Sequence, residues 1–286
     1  MTPLLARSYV YCERLARREA GNFYHAFRLL PGPQRRAMCA LYAFMRVADD
    51  LADSAKPIDD KRLLLKQWRS RLDAMLAGRY THRLHAAFHH TMTTYGIPRE
   101  TIEAVLDGVE MDLDTDRYAT FDDLYRYCYR VASAVGLACI HIWGFSDPKA
   151  MIYAESAGIA FQLTNILRDL GEDAARGRIY LPAEDLQRFG YSEVQLSQRE
   201  RNESFLALMR FEADRVRSHY EAAAPLSGLL KPAGRAVFQV MLQTYRGLLE
   251  VIEERKFDVF SGRARVSKWR KLRFVLQALP VRWGWV

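Results

Sequence analysis

Two rows of polar side chains interrupt stretches that otherwise have the composition of helix interiors. Within each row the residues are three or four positions apart, and an α-helix turns once every ~3.6 residues, so each row lies on one helix face. Carboxylates on a buried face must be protonated, pair with a cation or bind a metal ion. Two such rows facing each other would hold Mg²⁺ or Mn²⁺ against a polyphosphate. The rows are Arg46, Asp49 and Asp53, and Gln162, Asn165, Asp169 and Asp173.

The first row includes the acidic run 49–53, in which Asp49 and Asp53 share a face and Asp50 is rotated by ~100°. Like charges four residues apart destabilise an isolated helix by roughly a few tenths of a kcal/mol, so the arrangement needs a compensating partner. The alternative is that these acids end a helix before the turn at 54–57. Acids at a helix C-terminus oppose the helix dipole, which favours a metal site over this alternative.

In the second row the carboxylates Asp169 and Asp173 follow two amides, which can hold a carboxylate in place or join the oxygen shell of a hard cation. Arg168 is adjacent, and Arg178 lies in the segment 176–182 that follows. Guanidinium groups bind phosphate oxygens in a bidentate manner. Two aspartate pairs with nearby arginines therefore predict a site for a Mg²⁺-bound diphosphate.

A third acidic segment, 107–116, alternates acids near a predicted helix end, so its carboxylates cannot all face one cavity. We expect Asp107 or Asp112 to point inward. The chain has no Glu-x-x-His, Gly-x-Gly-x-x-Gly or phosphate-loop sequence. A di-iron bundle of the ferritin type and the common nucleotide folds are therefore not indicated, although nicotinamide binding by another route stays open.

Apolar residues recur at spacings of three and four along almost the whole chain, and no segment shows sustained alternation. The sequence therefore predicts an all-α protein. No break is rich enough in Gly, Ser or Pro to be a linker, so residues 1–286 are expected to form a single domain, a large helix bundle around a central cavity. The predicted helices span 4–29, 34–53, 58–78, 82–94, 99–115, 121–144, 148–175, 193–224 and 233–260, with a short helix after 267.

The net charge of +8 is concentrated at the C-terminus, where seven Lys or Arg and no acid follow residue 259. The rest of the chain is left with a net charge of about +1, so a nucleic-acid-binding face is not expected. Apolar residues are interleaved with these cations, and residues 263–286 predict a basic amphipathic tail suited to an anionic membrane surface. The alternative is a helix that packs on the body and keeps its charges in water.

Four cysteines form no Cys-x-x-Cys pair and lie on predicted helices, which is typical of a reduced cytoplasmic protein. No signal peptide is visible, and no apolar run reaches the ~18 residues that span a bilayer. We therefore expect a cytoplasmic protein, soluble or attached peripherally to the inner face of the cytoplasmic membrane. The cysteines are Cys12, Cys39, Cys128 and Cys139.

Three blocks of this chain resemble the squalene/phytoene synthase family, the head-to-head prenyl transferases. Their order and spacing match the family over nearly the whole chain. The resemblance implies the class I isoprenoid synthase fold, with the two aspartate rows on opposite walls of one cavity. The blocks are 41–53, which holds the first row; 127–136, Tyr-Cys-Tyr-Arg-Val-Ala-Ser-Ala-Val-Gly; and 158–182, which holds the second row with Arg178, Tyr180 and Pro182.

The resemblance also implies roles for individual residues. Mg²⁺ would be bound by Asp49, Asp53, Asn165, Asp169 and Asp173. Catalytic roles would fall to the four aspartates, Tyr127 and Arg168. The prenyl diphosphate would contact Arg46, Gln162, Asn165, Arg178, Tyr42, Phe23, Asn22 and Tyr245. Where many members have a hydroxyl-rich run, this chain has Ala20-Gly21-Asn22-Phe23, and Asn22 would be the donor there.

The reaction implied by the resemblance begins with ionisation of one prenyl diphosphate. The double bond of a second chain attacks the cation, and loss of a proton closes a cyclopropane. The cation must be kept from water, which requires an apolar tunnel. The expected lining residues are Phe23, Phe44, Val131, Ala134, Val135, Leu137, Ala157, Phe161 and Leu163.

The leading expectation is condensation of two C15 farnesyl diphosphates to presqualene diphosphate or a squalene-type C30 product, for hopanoid, sterol or carotenoid biosynthesis. NADPH would be needed only if the product is squalene. The alternative is a phytoene synthase that joins two C20 geranylgeranyl diphosphates. A terpene cyclase or head-to-tail synthase is disfavoured by the block 127–136, and a non-catalytic assembly factor is disfavoured by the four intact aspartates.

Overall fold

The computed structural model describes residues 1–284, except for the side chains of Asn22 and Phe23. The predictions for those two side chains, and for Trp285 in the tail, therefore lie outside the described residues. The described chain is all-α, as predicted, with two isolated β-bridges and no β-strand. Its helices are α1 (Pro3–Glu19), α2 (Asn22–Phe27), α3 (Gly32–Ala52), α4 (Ile58–Leu76), α5 (His85–Tyr95), α6 (Arg99–Asp114), α7 (Phe121–Cys128), α8 (Ala134–Trp143), α9 (Ala150–Ala175), α10 (Ala183–Arg188), α11 (Glu193–Ser197), α12 (Glu203–Ala223), α13 (Leu226–Leu229), α14 (Pro232–Glu254) and α15 (Lys268–Arg282).

Some helix boundaries differ from the predicted ones. The predicted helix 4–29 is two helices, because Gly21 between them adopts a φ of 51°, outside the helical region and open mainly to glycine. The predicted helix 193–224 is also wrong. α11 ends at Ser197, and α12 begins after Asn202, whose side chain accepts a hydrogen bond from a main-chain amide of the first turn at 2.9 Å. The short helices α10 and α13 were not predicted.

α9 is the central helix of the bundle and packs against α8, α12 and α14. Ala157 on one side of α9 belongs to a hydrophobic cluster with residues of α3 and α4, and Ile166 belongs to a second cluster with residues of α12. Phe161 packs against both clusters. Because two sides of α9 are buried in this way, its polar row is left to face a cavity, which Gln162 and Asn165 line.

A π-helical turn, Tyr129–Ser133, joins α7 to α8, so the predicted continuous helix 121–144 is interrupted. A π turn accommodates one extra residue and rotates the side chains that follow it. Its last residue lies very close to α9. Ser133 Oγ donates to the Glu155 carbonyl at 2.7 Å, and a Cβ on Gly158 would lie 2.4 Å from Ser133 Cα. Only glycine permits this approach, which sets the distance between two walls of the cavity.

The C-terminal helix α15 packs along α14. Ser267 caps α15 by accepting from the Arg270 amide at 3.2 Å, and the Arg270 guanidinium pairs with Glu250 of α14 at 2.5 Å. Ala278 and Val281 are buried on the inner side of the helix. Within residues 1–284, no helix has both the length and the apolar character needed to cross a bilayer.

Gly158→Ala should destabilise the fold, and Gly228→Ala should not. The methyl group added at 158 meets main-chain atoms of Ser133 and forces the helices apart, at a cost of about 1–3 kcal/mol. A Cβ at Gly228 of α13 meets nothing within 4 Å, so this variant controls for the lost backbone freedom. Urea titration gives the free energy of unfolding. Equal values for the two variants would show that the close contact is dispensable.

Candidate active site

The first aspartate row lies at the C-terminal end of α3. The Asp49 side chain is exposed, but neighbouring protein atoms displace part of the water around its carboxylate. This desolvation, together with the nearby charge of Asp53, raises the pKa of Asp49 to about 6. Arg46 pairs at 2.7 Å with Asp50, the acid that was expected to be rotated away from the row. Tyr42, one turn before Arg46, is partly buried. Neither aspartate of the row makes an ion pair within residues 1–284, although the charge of Arg46 acts on Asp49 from beyond ion-pair distance.

A third carboxylate, from Asp112 of α6, joins this region. Burial raises the pKa of Asp112, and the charge of Asp53 contributes to the increase. The Tyr127 hydroxyl donates to Asp112 Oδ1 at 2.9 Å. Asp107 or Asp112 was expected to point inward, and Asp112 is the one that reaches the site. Asp107 instead pairs with Arg69 at 2.6 Å.

Tyr127 belongs to a cluster of three rings with Tyr118 and Tyr180, whose centroids are 5.3 to 5.8 Å apart. Burial raises the pKa of Tyr127 and of Tyr118, so both hydroxyls stay protonated at neutral pH. Arg178 reaches the same cluster. Its Nη2 donates to the Asp112 carbonyl at 2.8 Å, and its Nη1 lies 3.7 Å from the Asp112 carboxylate. Asp112 thus fixes both a tyrosine hydroxyl and a guanidinium.

In the second row, Asp169 is already neutralised by two arginines. Arg168 Nε donates to Asp169 Oδ1 at 2.7 Å, and Arg263 donates from Nε and Nη2 to the two carboxylate oxygens, both at 2.8 Å. Burial acts to raise the pKa of Asp169, but these hydrogen bonds outweigh it and the pKa is lowered. Asp173 makes no ion pair within residues 1–284, and burial together with the Asp169 charge raises its pKa to about 6.

Arg263 was not among the predicted site residues. It lies in the segment between α14 and α15, 94 positions after its partner Asp169. In the sequence it falls within the predicted basic tail, 263–286, and has no spacing relationship with either aspartate row. Its position depends on the path of the chain after α14 and could not be read from a local pattern.

An apolar cavity of about 210 Å³ begins beside the second row. Gln162, Asn165 and Tyr245 line one end, where the Tyr245 ring stacks on Phe161 with centroids 4.5 Å apart. From there, mostly small or apolar residues of α8 and α9 line the cavity as far as Trp143. The lining part of α9 covers about three turns, roughly 16 Å at 1.5 Å per residue.

Several expected lining residues do face this cavity, namely Val131, Val135, Ala157 and Phe161. The prediction for Phe44 is wrong, because its ring stacks on Phe88 in the core with centroids 4.2 Å apart. Ala134, Leu137 and Leu163 are likewise outside the lining set. The prediction thus identified the helices that line the cavity, but for several residues it chose the wrong face of the helix.

A second cavity, of about 520 Å³, shares Met241 and Tyr245 with the apolar one. Its lining is rich in cations and borders Asp169. An anion with a long apolar tail suits this junction, because the charged head and the tail would each meet a matching surface. The cations are Arg168, Arg263, Arg265, Lys268 and Lys271.

The donor set fits Mg²⁺ held jointly with the oxygens of a ligand. Among residues 1–284, no three His, Cys or acidic side chains are close enough to form a complete protein cage. Mg²⁺ commonly takes one or two carboxylates and completes its shell with phosphate oxygens and water. Asp49 with Asp53, and Asp173 with Asp169, supply carboxylate pairs of this kind, and Mn²⁺ would accept the same oxygens.

Comparison with known proteins identifies the family. The sequence profile described as squalene/phytoene synthase matches residues 16–270. The chain belongs to this family. Its members are prenyltransferases acting on prenyl diphosphates, so the family and the enzyme class expected from the sequence are confirmed.

Curated relatives and solved structures match along nearly the whole chain. The 15-cis-phytoene synthase of Synechococcus elongatus is 38% identical over 280 residues, covering 94% of this chain and 91% of the relative. The phytoene synthase of Arthrospira platensis is 36% identical over 278 residues, covering 93% and 90%. The structure of a dehydrosqualene synthase in complex with ligand gives a TM-score of 0.87 at 29% identity and covers 96% of both chains. Squalene synthase HpnC from Alicyclobacillus acidocaldarius gives 0.85 at 25% identity, covering 90% and 97%, and the isoprenoid synthase fold is thereby confirmed.

Asp112→Asn should lower the prenyltransferase activity, and Asp114→Asn should leave it unchanged. The neutral amide accepts the Tyr127 hydrogen bond less strongly and removes the charge that attracts Arg178. The Tyr127 hydroxyl therefore loses its fixed position, and Arg178 is held without this charge by its hydrogen bond to the main-chain carbonyl. Removing a supporting group of this kind costs about 10–100-fold in activity. Asp114 lies on the same helix but is exposed and pairs with Arg62. Diphosphate release at saturating substrate measures the effect, and an equal loss in both variants would indicate a general effect on α6.

Proposed function

We propose that this protein is a phytoene synthase, which joins two C20 geranylgeranyl diphosphates head to head. The observation that carries the proposal is the junction, at Met241 and Tyr245, between an apolar cavity and a cation-lined cavity. The two relatives compared above are both named phytoene synthases. The sequence resemblance favoured C15 farnesyl diphosphate, whereas these relatives support the C20 alternative.

Ionisation of the first substrate requires fixed positive groups around the departing diphosphate. Arg168 and Arg263 line the cationic cavity, and Arg178 is held beside the tyrosine cluster. A guanidinium group can bind the oxygens of a phosphate in the same bidentate manner in which it binds a carboxylate. Arg168 and Arg263, which bind Asp169, can therefore exchange that carboxylate for diphosphate without losing an anionic partner. Bound Mg²⁺ would add Lewis-acid stabilisation of the leaving group.

The allylic cation formed at C1 must meet a double bond before it meets water. Attack by the C2–C3 double bond of the second substrate and loss of a proton close the cyclopropane of prephytoene diphosphate. A second ionisation, a rearrangement and loss of a second proton give a C40 hydrocarbon and a second free diphosphate. Because two protons leave and no hydride is added, this product requires no NADPH, unlike squalene.

The protein's contribution to these steps is shape and charge distribution. The cavity wall between Phe161 and Trp143 keeps water from the tail. The faces of the Tyr118, Tyr127 and Tyr180 rings carry the negative side of an aromatic quadrupole, which attracts a cation without reacting with it. Their hydroxyls stay protonated, so they do not trap the cation as phenolates.

Geranylgeranyl diphosphate should be converted to a C40 hydrocarbon with two diphosphates released per product. The kcat/KM for farnesyl diphosphate should be lower than that for geranylgeranyl diphosphate by a factor of about ten or more, because a tail one isoprene unit shorter leaves part of the apolar cavity unfilled. Separate incubations with each substrate, followed by mass analysis of the product, decide between them. Exclusive turnover of the C15 substrate would restore the C15 expectation, and a cyclic or head-to-tail product would contradict the proposed reaction.

Asp173→Asn should reduce diphosphate release about 100-fold or more, and Glu172→Gln should have little effect. Loss of a carboxylate that holds Mg²⁺ removes several kcal/mol of leaving-group stabilisation, and each ~1.4 kcal/mol is a factor of ten in rate. Glu172 is the exposed neighbour of Asp173 on the same helix. Chelation of divalent metal should silence the unmodified enzyme, and Mg²⁺ should restore it. Full activity of Asp173→Asn, or of the chelated enzyme, would contradict the metal-assisted mechanism.

A further inference from the structure

The outer face of α15 carries an exposed apolar stripe. Trp269, Leu272 and Leu276 are separated by three and four positions, so they share one helix face. Their exposed fractions are 81%, 47% and 56%. Together with Arg273 and Gln277 they line a shallow depression on the surface. Large apolar side chains exposed side by side and bordered by polar groups mark an interaction surface.

Cations border this stripe on both sides. Lys268 and Arg273 flank it on α15, and Arg265 precedes the helix; all three are exposed and make no ion pair within residues 1–284. No acidic residue follows Asp258 in the sequence. The surface around the stripe is therefore both apolar and positively charged.

An anionic lipid bilayer matches this surface better than the other candidate partners. An apolar helix face with flanking Lys and Arg gains from burial at the headgroup boundary and from attraction to lipid phosphates. A second copy of this chain is a poorer match, because a two-fold contact would bring two acid-free cationic helices together. Nucleic acid would use the cations but would leave the apolar stripe in water.

We propose that α15 docks on an anionic bilayer. Trp269, Leu272 and Leu276 lie at the level of the headgroups, and Lys268 and Arg273 contact lipid phosphates. The inner side of α15 stays packed on α14, so docking does not require the helix to leave the protein.

The first turn of α15 lies at the cationic cavity, so docking would place that cavity close to the bilayer. Lys268 and Lys271 of its first turn line the cationic cavity, which adjoins the apolar cavity through Met241 and Tyr245. A docked protein therefore presents the end of its binding site to the bilayer. This step rests on the proposed function, since a C40 hydrocarbon leaves more easily into lipid than into water. The docking itself does not rest on it.

The first test is flotation of the full chain with vesicles. The protein should float with vesicles of phosphatidylcholine and phosphatidylglycerol in equal parts, and bind much less to phosphatidylcholine alone or at high salt. Trp269→Ser with Leu276→Ser should lower the vesicle partition coefficient about tenfold or more. Lys268→Glu with Arg273→Glu should lower it about 25-fold or more, since each cation contributes about a fivefold factor.

Matched variants control for these changes. Ile152→Ser with Val194→Ser removes two apolar side chains that are 65% and 62% exposed elsewhere on the surface, and it should bind vesicles like the unmodified protein. Lys66→Glu makes the charge change on an exposed residue of α4 and should bind nearly as well. Thermal unfolding followed by circular dichroism shows that each variant is folded.

A second measurement reports the orientation of α15. Vesicles with brominated acyl chains should quench the fluorescence contributed by Trp269, taken as the difference between the unmodified protein and Trp269→Phe. Failure to float, equal binding by the α15 variants and their controls, or an unquenched Trp269 would overturn the proposal. If the α15 variants instead lose self-association in sedimentation without any change in vesicle binding, the face joins copies of the chain and the proposal is wrong.

Activity measured on substrate dispersed in detergent separates the two proposals. The Trp269→Ser, Leu276→Ser variant should retain that activity, because neither side chain lines a cavity of the site. An inactive but vesicle-binding protein would contradict the proposed function alone, and an active protein that ignores vesicles would contradict the docking alone.

Discussion

Carboxylates that lie close together and lose part of their hydration require positive charge nearby, and the two aspartate rows meet this requirement differently. Asp169 is compensated within the chain by two guanidinium groups, and its pKa is lowered. Asp49 and Asp173 lack such partners within the described residues, and their pKa values are raised to about 6. In the second row, one of the two carboxylates is therefore paired with arginines of the chain before any ligand binds. In the first row, neither carboxylate has an ion-pair partner within the described residues. The site is built to gain charge compensation on binding.

A single helix links the charged part of the site to its apolar part. α9 carries Asp169 and Asp173 near its C-terminal end and lines the apolar cavity with its preceding turns. The head and tail of a bound ligand are thus placed by one rigid element. The contact of Gly158 with Ser133 sets how closely α9 approaches the opposite wall of the cavity. That wall consists of the π turn ending at Ser133 and of α8, and it follows directly after α7, which holds Tyr127.

The local parts of this arrangement could be predicted from the sequence, and the long-range parts could not. Carboxylates spaced by four residues on a helix share a face whatever the rest of the fold does, so Asp49 and Asp169 were identifiable as candidates. The π turn lies against Gly158 of α9, a tertiary contact that a local sequence pattern does not encode. Arg263 reaches Asp169 only through the tertiary path after α14. Trp143 lines the apolar cavity through the packing of several helices, so the length of that cavity could not be read from the sequence.

The path of the chain between Arg263 and α15 is short. Four residues separate Arg263, which holds the Asp169 carboxylate, from Lys268, which begins the surface helix. Even fully extended, these five steps reach only about 18 Å. Ala264 and Val266 within the segment are buried, so it is packed against the body of the protein between its two ends. One short, partly buried segment thus positions both the guanidinium that pairs with Asp169 and the first turn of the surface helix.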